Sequence, residues 1–528
     1  MTYLELTFVL LFFSAVASWF LKQVKNYLFW LYLWQLKNYH FGRFLAHFRT
    51  EAGKRIISNW LLVFAFFVLA SFLIFYPLTY SLHLVSLFVF YSVLVLEGLV
   101  FIKNLFLGKL KRPQFTSKII FLSFFSFAVL LIFSFDIFYN PFDSPFYTLS
   151  YLFLLDLLAP LVVSFIVVIF QPLTIILRNR TIKKATRKRE KLENLLTIGI
   201  TGSYGKSSVK EFLKTILSLD FKVVATEKNE NSEMGVSECI LKKVSEKHEI
   251  FICEMGAYNR GGIKLLCSIA KPKVGIITGI GNQHLATFGS QDNIMRAKFE
   301  LIDYLPEEGL AVLNWDSELV RKGFKKKISN IKYGVLNRED VWAEDIKVEK
   351  DRISFRACFK NKDSVKIEAG VAGEQNIPNL LAAIAVARKL GMGLRDIASA
   401  CRKIKENNVF SFRKIDVLNF SYSSNLDGVL SHLDHLKHWP GKRMVVMPCL
   451  IELGKDSKAA HEEIGRKIAE TCDLAVVTSK ECLSAIKGNA VFVSNPLKIF
   501  EKITKELSPG DVVLLEGRVP EKLIKLLK

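Results

Sequence analysis

The segment that decides the fold of this chain is Leu196-Thr-Ile-Gly-Ile-Thr-Gly-Ser-Tyr-Gly-Lys-Ser-Ser208. It opens with β-branched residues, passes through two glycines and leads into an amphipathic stretch. The pattern predicts a strand over Leu196–Thr201, a tight turn, and a helix over Ser207–Leu219. Backbone N–H groups converge at such a turn, and the helix N-terminus adds partial positive charge. The segment therefore predicts a phosphate-binding loop.

The side chains of this loop suit a nucleoside triphosphate with Mg²⁺. Lys206 is expected to contact the outer phosphates, and the Ser207 hydroxyl is expected to coordinate the metal. The strict nucleotide pattern needs a glycine where this chain has Ile200, so a plain strand–helix turn is the alternative for the loop alone. The predicted nucleotide-binding residues of the loop are Thr201, Gly202, Ser203, Gly205, Lys206, Ser207 and Ser208.

After Leu195, short β-branched runs alternate with amphipathic stretches, which is typical of a parallel sheet with crossover helices. The predicted elements of this first α/β unit are strands at Phe221–Thr226, Glu249–Glu254, Val274–Thr278 and Ala311–Asn314, a β-rich insertion over Tyr333–Ala369, and a helix at Asn379–Leu390. A second, Rossmann-like α/β unit is predicted to begin near Phe412, with strands at Arg443–Met447, Leu474–Thr478 and Asp511–Leu515.

The first third of the chain is strongly apolar and holds most of the 43 phenylalanines. Five stretches approach or exceed the roughly 20 residues that cross a bilayer. The first could be a signal peptide, but Glu5 and the missing cleavage site favour an uncleaved span. The aromatic run Tyr27–Trp34 predicts an interfacial helix. The five predicted spans are Thr2–Leu21, Ile56–Tyr76, Tyr80–Ile102, Lys118–Tyr139 and Tyr147–Leu177.

Basic residues alternate between the connections of these spans, with seven between Lys22 and Arg55, five between Lys103 and Lys118, and eight between Arg178 and Lys191. This bias predicts a plasma-membrane protein whose amino terminus is outside and whose remainder after Arg178 is cytoplasmic. Much of the net charge of +22 therefore lies beside the membrane, where residues 178–191 are expected to bind anionic lipid headgroups rather than nucleic acid.

The predicted organisation has four parts: residues 1–177 as a transmembrane domain, 178–194 as a basic juxtamembrane linker, 195–410 as an ATP-binding domain, and 411–528 as a C-terminal domain. The eight cysteines show no close paired spacing and are interpreted as free thiols. The three histidines His432, His435 and His438 are interpreted as part of a solvated helix rather than a metal site.

Further motifs follow the phosphate loop in a fixed order. They are Thr226-Glu-Lys-Asn-Glu-Asn-Ser-Glu-Met-Gly-Val236, Glu254-Met-Gly-Ala257, Thr278-Gly-Ile-Gly-Asn-Gln-His-Leu285, Arg296-Ala-Lys-Phe-Glu300, Gly373-Glu-Gln-Asn-Ile-Pro-Asn379, Tyr422-Ser-Ser-Asn425 and Pro509-Gly-Asp-Val-Val-Leu514. Over about residues 195–520 the chain resembles the Mur ligases, which extend a cell-wall precursor, and in particular the branch that adds D-alanyl-D-alanine.

The resemblance implies a P-loop central domain and an ATP-dependent ligase of cell-envelope precursor synthesis. ATP would phosphorylate a carboxylate, and an amine or dipeptide would attack the acyl phosphate to form an amide. The implied catalytic residues are Lys206, Lys298, His284 and Arg413. The implied Mg²⁺ ligands are Ser207, Glu254, His284 and a carbamylated Lys298. The implied nucleotide contacts outside the loop are Asn376, Asn379 and Arg413, and the implied substrate contacts are Asn229, Asn231 and Asn425.

Departures from the family pattern concentrate where the family holds its incoming amine. Phe420 stands in place of an aspartate, Pro448-Cys449 in place of Gly-Asp, and Glu516-Gly-Arg518 in place of Lys-Gly-Ser. The uridine-nucleotide-binding domain is replaced by the apolar spans, so either the precursor is lipid-linked or the spans only localise the enzyme. Two alternatives remain at this point: a membrane-bound poly-γ-glutamate synthase, and a degenerate ligase that acts as a nucleotide-binding scaffold.

Overall fold

A computed structural model gives the architecture of the chain. It describes residues 3–528 except 38, 40, 49–50, 76–79, 108–109, 140–144, 228–229, 282–287, 406–407, 422–424, 451–452, 454–455 and 487–489. The contacts divide the chain into two units, Met1–Leu177 and Arg178–Lys528.

The first unit is helical, because long apolar runs satisfy their backbone hydrogen bonds internally. Helix α7 begins in this unit and carries the basic run into the second one. The helices are α1 (Tyr3–Leu36), α2 (Phe41–His47), α3 (Glu51–Phe75), α4 (Tyr80–Phe106), α5 (Ser117–Tyr139), α6 (Pro145–Ile169) and α7 (Gln171–Glu190).

Among the described residues, three helical segments are long and apolar enough to cross a membrane: Phe88–Phe106, Ser117–Phe135 and Tyr151–Ile169. The structure therefore supports three candidate spans where the sequence predicted five. A separate interfacial helix at Tyr27–Trp34 is wrong, because that run continues α1 without a break. Trp34 is buried and stacks on Phe44 with ring centroids 4.0 Å apart.

The lipid-binding prediction is wrong for two basic residues at the end of helix α7. The guanidinium of Arg189 is buried and donates hydrogen bonds to Thr197 Oγ1 at 2.9 Å and to three backbone carbonyl oxygens. Lys188 Nζ donates to the carbonyl oxygen of Leu241 at 2.9 Å. These two cations hold the end of α7 on the α/β fold, so they are not available to headgroups.

The second unit contains a nine-stranded sheet in the order β2-β3-β1-β4-β5-β6-β7-β8-β9. Strands β1 to β7 pair in parallel, and β7, β8 and β9 are antiparallel. The predicted insertion is therefore strand-rich, as expected, but it extends the main sheet rather than forming a separate element. The strands are β1 (Leu196–Thr201), β2 (Val223–Ala225), β3 (Ile250–Glu254), β4 (Val274–Ile277), β5 (Leu310–Asn314), β6 (Ser329–Gly334), β7 (Val341–Val348), β8 (Ile353–Phe359) and β9 (Ser364–Ala369).

Helices cover both faces of this sheet, and two buried apolar clusters lie between the layers. The amphipathic stretch after the phosphate loop forms α8, whose buried residues include Phe212 and Ile216. The helices are α8 (Lys206–Leu217), α9 (Glu233–Lys242), α10 (Gly262–Ala270), α11 (Gln291–Tyr304), α12 (Glu318–Gly323), α13 (Asn376–Lys389) and α14 (Leu394–Arg402).

A six-stranded sheet follows, in the order β10-β11-β15-β12-β13-β14, and it is parallel apart from the β10–β11 hairpin. Its strands are β10 (Val409–Phe412), β11 (Ile415–Phe420), β12 (Arg443–Met447), β13 (Leu474–Val477), β14 (Ala490–Phe492) and β15 (Val512–Glu516). Its α-helices are α15 (Leu426–His435), α16 (Ser457–Thr471), α17 (Pro496–Glu506) and α18 (Glu521–Leu527). The prediction of two α/β domains with parallel-rich sheets is confirmed.

The free-thiol prediction is wrong for two cysteines, because Cys449 and Cys482 form a disulfide. Cys449 follows β12 and Cys482 follows the adjacent parallel strand β13. The carboxyl ends of parallel neighbours meet at one edge, so residues 33 positions apart become adjacent there. Sequence spacing carried no sign of this pairing.

Candidate active site

The phosphate loop leaves the carboxyl end of β1 and turns through two glycines in the left-handed half of backbone space. Gly205 caps α8 with a φ of 76°. A Cβ on Gly205 would clash with Asn379 Oδ1, and a Cβ on Gly202 would clash with Thr278 Oγ1. The backbone therefore passes so close to its neighbours that only glycine fits at either position.

Glu254 is the centre of the site. It is the last residue of β3, and its register partner on β1 is Ile200, just before the loop. One carboxylate oxygen accepts a hydrogen bond from Ser207 Oγ at 3.0 Å, and the other accepts one from Asn231 Nδ2 at 3.2 Å. Lys210 Nζ lies 3.3 Å from the first oxygen. Burial of this carboxylate is thus compensated by two hydrogen bonds and an ion pair.

Lys206 lies in the first turn of α8, where its ammonium donates to the carbonyl oxygen of Gly202 at 2.8 Å. Burial lowers the pKa of Lys206, and the negative charge of Glu254 acts in the opposite direction. A lysine folded back over its own loop is held close to the point where a phosphate bound by the loop would lie.

Lys298 comes from α11, outside the loop. Its side chain is only 3% exposed. Burial, and then the positive charge of Lys206, lower the pKa of Lys298 to about 7, while Glu300 opposes the shift. A large fraction of this amine is therefore uncharged at neutral pH, which makes it nucleophilic.

Asn376 and Asn379 occupy the first turn of α13 and are both buried. Asn379 Nδ2 donates to the carbonyl oxygen of Gln375 at 3.0 Å and to Asn376 Oδ1 at 3.3 Å. Asn376 Nδ2 donates to the carbonyl oxygen of Ala372 at 3.0 Å. The pair is fixed beside the loop, because Asn379 is the residue that a Cβ on Gly205 would strike.

Two other loop residues hold the loop itself. Thr201 Oγ1 donates to the carbonyl oxygen of Met255 at 3.0 Å. Ser203 Oγ donates to the carbonyl oxygen of Gly281 at 3.2 Å, and its backbone N–H donates to that of Gly279 at 2.8 Å. Ser208 lies one residue after Ser207 in the first turn of α8.

Three predicted substrate or phosphate contacts have other partners in the structure. Asn231 bonds Glu254, as above. Asn425 is the N-cap of α15, and its Oδ1 accepts from the backbone N–H of Gly428 at 2.9 Å. Arg413 lies in the exposed β10–β11 turn with a φ of 50°, and its guanidinium is 5.3 Å from the centre of the Phe412 ring. No described contact joins Arg413 to the phosphate loop.

Two predicted site residues lie outside the described part of the chain: His284, predicted as a metal ligand, and Asn229, predicted as a substrate contact. Their assignments stay predictions.

Sequence reasoning missed Lys210, although its spacing from Lys206 could have indicated it. Lys210 lies one helical turn after Lys206, so both side chains project from one face of α8. It also missed Thr278, whose hydroxyl lies within hydrogen-bonding distance of the carbonyl oxygens of Thr201 and Tyr204 and can donate to either of them. The solvated-helix interpretation is wrong for His435, which is buried, and for His432, whose Nδ1 lies 2.7 Å from Glu516 Oε2.

These residues fit a Mg²⁺–nucleotide complex. The hydroxyl of Ser207 and the carboxylate of Glu254 are hard oxygen donors of the kind Mg²⁺ prefers. Lys206 and Lys210 supply positive charge near one carboxylate, which suits an anionic ligand.

Comparison with known proteins agrees with this geometry. Residues 200–387 match the Mur ligase middle domain, and residues 407–519 match the Mur ligase glutamate ligase domain. A Haemophilus influenzae UDP-N-acetylmuramoyl-tripeptide–D-alanyl-D-alanine ligase is 30% identical over 57% of this chain and 67% of its own length. The chain belongs to the Mur ligase family.

Other relatives of this Mur ligase point to the same branch. A Synechocystis ligase of the same description is 34% identical over 51% of this chain, and the match spans 59% of the relative's length. The solved MurF ligase of Thermotoga maritima in complex with ADP is 27% identical, with a TM-score of 0.60 over 66% of this chain and 83% of the other. Mur ligases are ATP- and Mg²⁺-dependent enzymes that form peptide bonds, as the sequence motifs implied.

Proposed function

We propose that this Mur ligase is a membrane-anchored enzyme of cell-envelope precursor synthesis, which joins a precursor carboxylate to an amine or dipeptide through an acyl phosphate. The observation that supports the proposal is the buried carboxylate of Glu254, which is bonded to Ser207 in the phosphate loop and paired with Lys210. Lys206 acts electrostatically on Glu254, and Lys298 lies close enough to Lys206 for the two charges to interact.

Each residue then has a chemical role. Mg²⁺-bound ATP would supply the activated phosphoryl group and screen the negative charge of the site. Ser207 and Glu254, with His284, would hold the metal. The ammonium of Lys206 and the N–H groups of the loop would stabilise charge on the transferring phosphoryl group. Asn376 and Asn379 would border the nucleotide, and Asn229, Asn231 and Asn425 would lie on the substrate side. Arg413 would reach the phosphates only after a change in domain arrangement.

Lys298 is proposed to act as a carbamate. With a pKa of about 7, its uncharged amine can attack CO₂, lose a proton and become an anionic ligand for a second Mg²⁺. Lys298 lies in α11, close enough to the loop for the charge of Lys206 to lower its pKa. A carbamate on Lys298 would therefore lie near Lys206.

The apolar helices are proposed to place the enzyme in the plasma membrane with residues after Arg178 in the cytoplasm. The three candidate spans and the alternating basic connections support this. Arg178 is paired with Glu233 at 3.2 Å, so the cations of the basic run other than Arg178, Lys188 and Arg189 are proposed to bind anionic headgroups.

The donor is proposed to be lipid-linked. The first unit has an apolar cavity of about 430 Å³, lined by residues that include Trp30, Phe44, Phe48, Trp60 and Leu161. Phe48 in its lining lies beside the imidazole of His47, with ring centroids 6.1 Å apart. Burial and the charges of Lys37 and Lys111 lower the pKa of His47. A hydrocarbon chain with an anionic phosphate head fits an apolar groove that lies near the positive charges of Lys37 and Lys111.

The test is ADP release by membranes containing the protein, with Mg²⁺ and ATP, across two donors and two amines. The donors are the UDP-N-acetylmuramoyl-tripeptide and its lipid-linked form, and the amines are D-alanyl-D-alanine and glutamate. We expect release with the lipid-linked tripeptide and D-alanyl-D-alanine. Lys206→Ala should abolish it, whereas Lys214→Ala, on the exposed face of the same helix, should not.

Other outcomes assign other functions. Release only with glutamate, and a lengthening product by mass spectrometry, would identify a poly-γ-glutamate synthase. Tight ATP binding without turnover for any donor and amine would identify a nucleotide-binding scaffold and overturn the proposal.

A further inference from the structure

A second buried carboxylate lies where the parallel strands of the C-terminal sheet end, at their carboxyl ends. Glu516 is the last residue of β15, and its register partner on the parallel strand β11 is Phe420, also a last residue. The side chain of Glu516 is 1% exposed. Both positions depart from the family pattern, which has a lysine and an aspartate there, so this carboxylate is a feature of this chain.

His432 on α15 connects the two residues. Its Nδ1 lies 2.7 Å from Glu516 Oε2, and its ring stacks on Phe420 with centroids 3.8 Å apart and planes 10° from parallel. The imidazole is therefore fixed both in direction, by the carboxylate, and in plane, by the phenyl ring. A carboxylate can only accept, so Nδ1 carries the proton and Nε2 is the basic nitrogen.

Helix α15, which carries this imidazole, contacts the nucleotide-binding domain at two other residues. Ser431, the preceding residue, donates from Oγ to Gln375 Oε1 at 2.9 Å, in the turn that begins α13. Asp427, in the first turn of α15, approaches Gly281 beside the phosphate loop. His432 keeps 14% of its side chain exposed, so the ring is not sealed in the core. It lies at the carboxyl ends of parallel strands, where α/β sheets bind ligands.

We propose that His432, oriented by Glu516 and supported by Phe420, is the base that takes a proton from the incoming amine. This rests on the proposed function, in which an amine attacks an acyl phosphate. An amine arrives as an ammonium ion, which has no lone pair for attack. Transfer of one proton to Nε2 gives the free amine and an imidazolium ion, whose charge the buried carboxylate stabilises.

The remaining bonds then balance. The amine nitrogen forms a bond to the acyl carbon, and the bond from that carbon to the phosphate oxygen breaks, so phosphate leaves with the electron pair. The second nitrogen proton goes to the phosphate, and the imidazolium returns its proton to solvent. The products are the amide, inorganic phosphate and a neutral His432.

The test compares two nucleophiles in the full-length protein. D-alanyl-D-alanine needs deprotonation, whereas hydroxylamine is largely uncharged at neutral pH and traps an acyl phosphate as a hydroxamate. With ATP, Mg²⁺ and the tripeptide donor in its UDP- and lipid-linked forms, His432→Gln should lower amide formation about 100-fold. Hydroxamate formation should stay within about twofold of the wild type, because that nucleophile needs no base.

Two further variants and two contrary outcomes complete the test. Glu516→Gln should lower amide formation about 10-fold, also without loss of hydroxamate. His438→Gln, at an exposed histidine just beyond α15, should leave both products unchanged. Equal loss of amide and hydroxamate in His432→Gln would show that His432 is not the base for the amine. It would not contradict the proposed ligase function. A wild type that releases no ADP with either donor would overturn the proposed function itself.

Discussion

The two ends of the ligase each hold a buried glutamate at the carboxyl end of a parallel strand, but the glutamates have different partners. Glu254 is bonded by Ser207, Asn231 and Lys210, whose hydroxyl, amide and ammonium groups suit a metal and phosphates. Glu516 is bonded by the imidazole of His432, which stacks on the ring of Phe420. The motif residues around Glu254 resemble the family pattern, whereas Phe420 and Glu516 depart from it. The comparison motivates the two proposals: metal and phosphate binding near Glu254, and proton transfer from the amine near Glu516.

The largest effect is expected from Glu254→Gln. The amide keeps the shape but removes the negative charge that would hold Mg²⁺, so ADP formation should fall about 10³-fold. The melting temperature should also fall, because the buried ammonium of Lys210 loses its ion pair with Glu254. The matched control is Glu211→Gln, because Glu211 contacts the same Lys210 but is exposed. A comparable loss of ADP formation in Glu211→Gln would show that the effect comes from the ion pair with Lys210 rather than from metal binding.

Lys298→Met should lower activity about 10²-fold, because methionine fills the space but cannot form a carbamate. In the wild type, a pKa near 7 means that the amine becomes protonated as the pH falls below about 7. Activity at fixed bicarbonate should therefore decline in that range. Carbon-13 NMR with labelled bicarbonate should show a carbamate signal in the wild type and in Lys214→Met, and none in Lys298→Met. A signal that persists in Lys298→Met would contradict the assignment.

Gly205→Ala should raise the KM for ATP about tenfold and lower the free energy of unfolding by about 2 kcal/mol. The new methyl group meets Asn379 Oδ1, and the backbone φ is 76°. Gly391→Ala is the control, since its φ of 95° imposes similar strain but no atom lies within 4 Å of the added carbon. Equal effects of the two variants on the KM for ATP would show that backbone strain alone raises it. The contact between α13 and the loop would then have no part in the effect.

The smallest effect is expected at the acceptor end, from Asn425→Ala. Losing the cap of α15 should cost about 1 kcal/mol in chemical denaturation, and Asn425→Ser should restore most of it. A KM for the amine that rises equally in the alanine and serine variants would instead support the predicted substrate contact.

The sequence predicted the elements of the α/β half closely. Strand β1 has the predicted bounds, and so does β12, because β-branched runs bounded by turns leave few alternatives. Prediction was weaker where local patterns are ambiguous. The apolar run after Leu21 had no glycine or proline to end it, so α1 continues to Leu36. The sequence placed the end of the first span at Leu21 because a charged residue, Lys22, follows it. In the structure Lys22 is largely buried within α1 and its charge is neutralised by Asp156 at 2.6 Å.

The sequence by itself predicted the phosphate loop with Lys206 and Ser207, because glycines and polar side chains follow one another at fixed spacing around a strand–turn–helix. The resemblance of its ordered motifs to the Mur ligases gave the family and implied Glu254 and Lys298 as candidate site residues. Only the tertiary structure decided which distant residues share an edge of a sheet. That is how Lys210 came to join Glu254, how Cys449 met Cys482, and how His432 came to lie between Phe420 and Glu516. Parallel strands bring their carboxyl ends together whatever the distance along the chain, and no local pattern records that pairing.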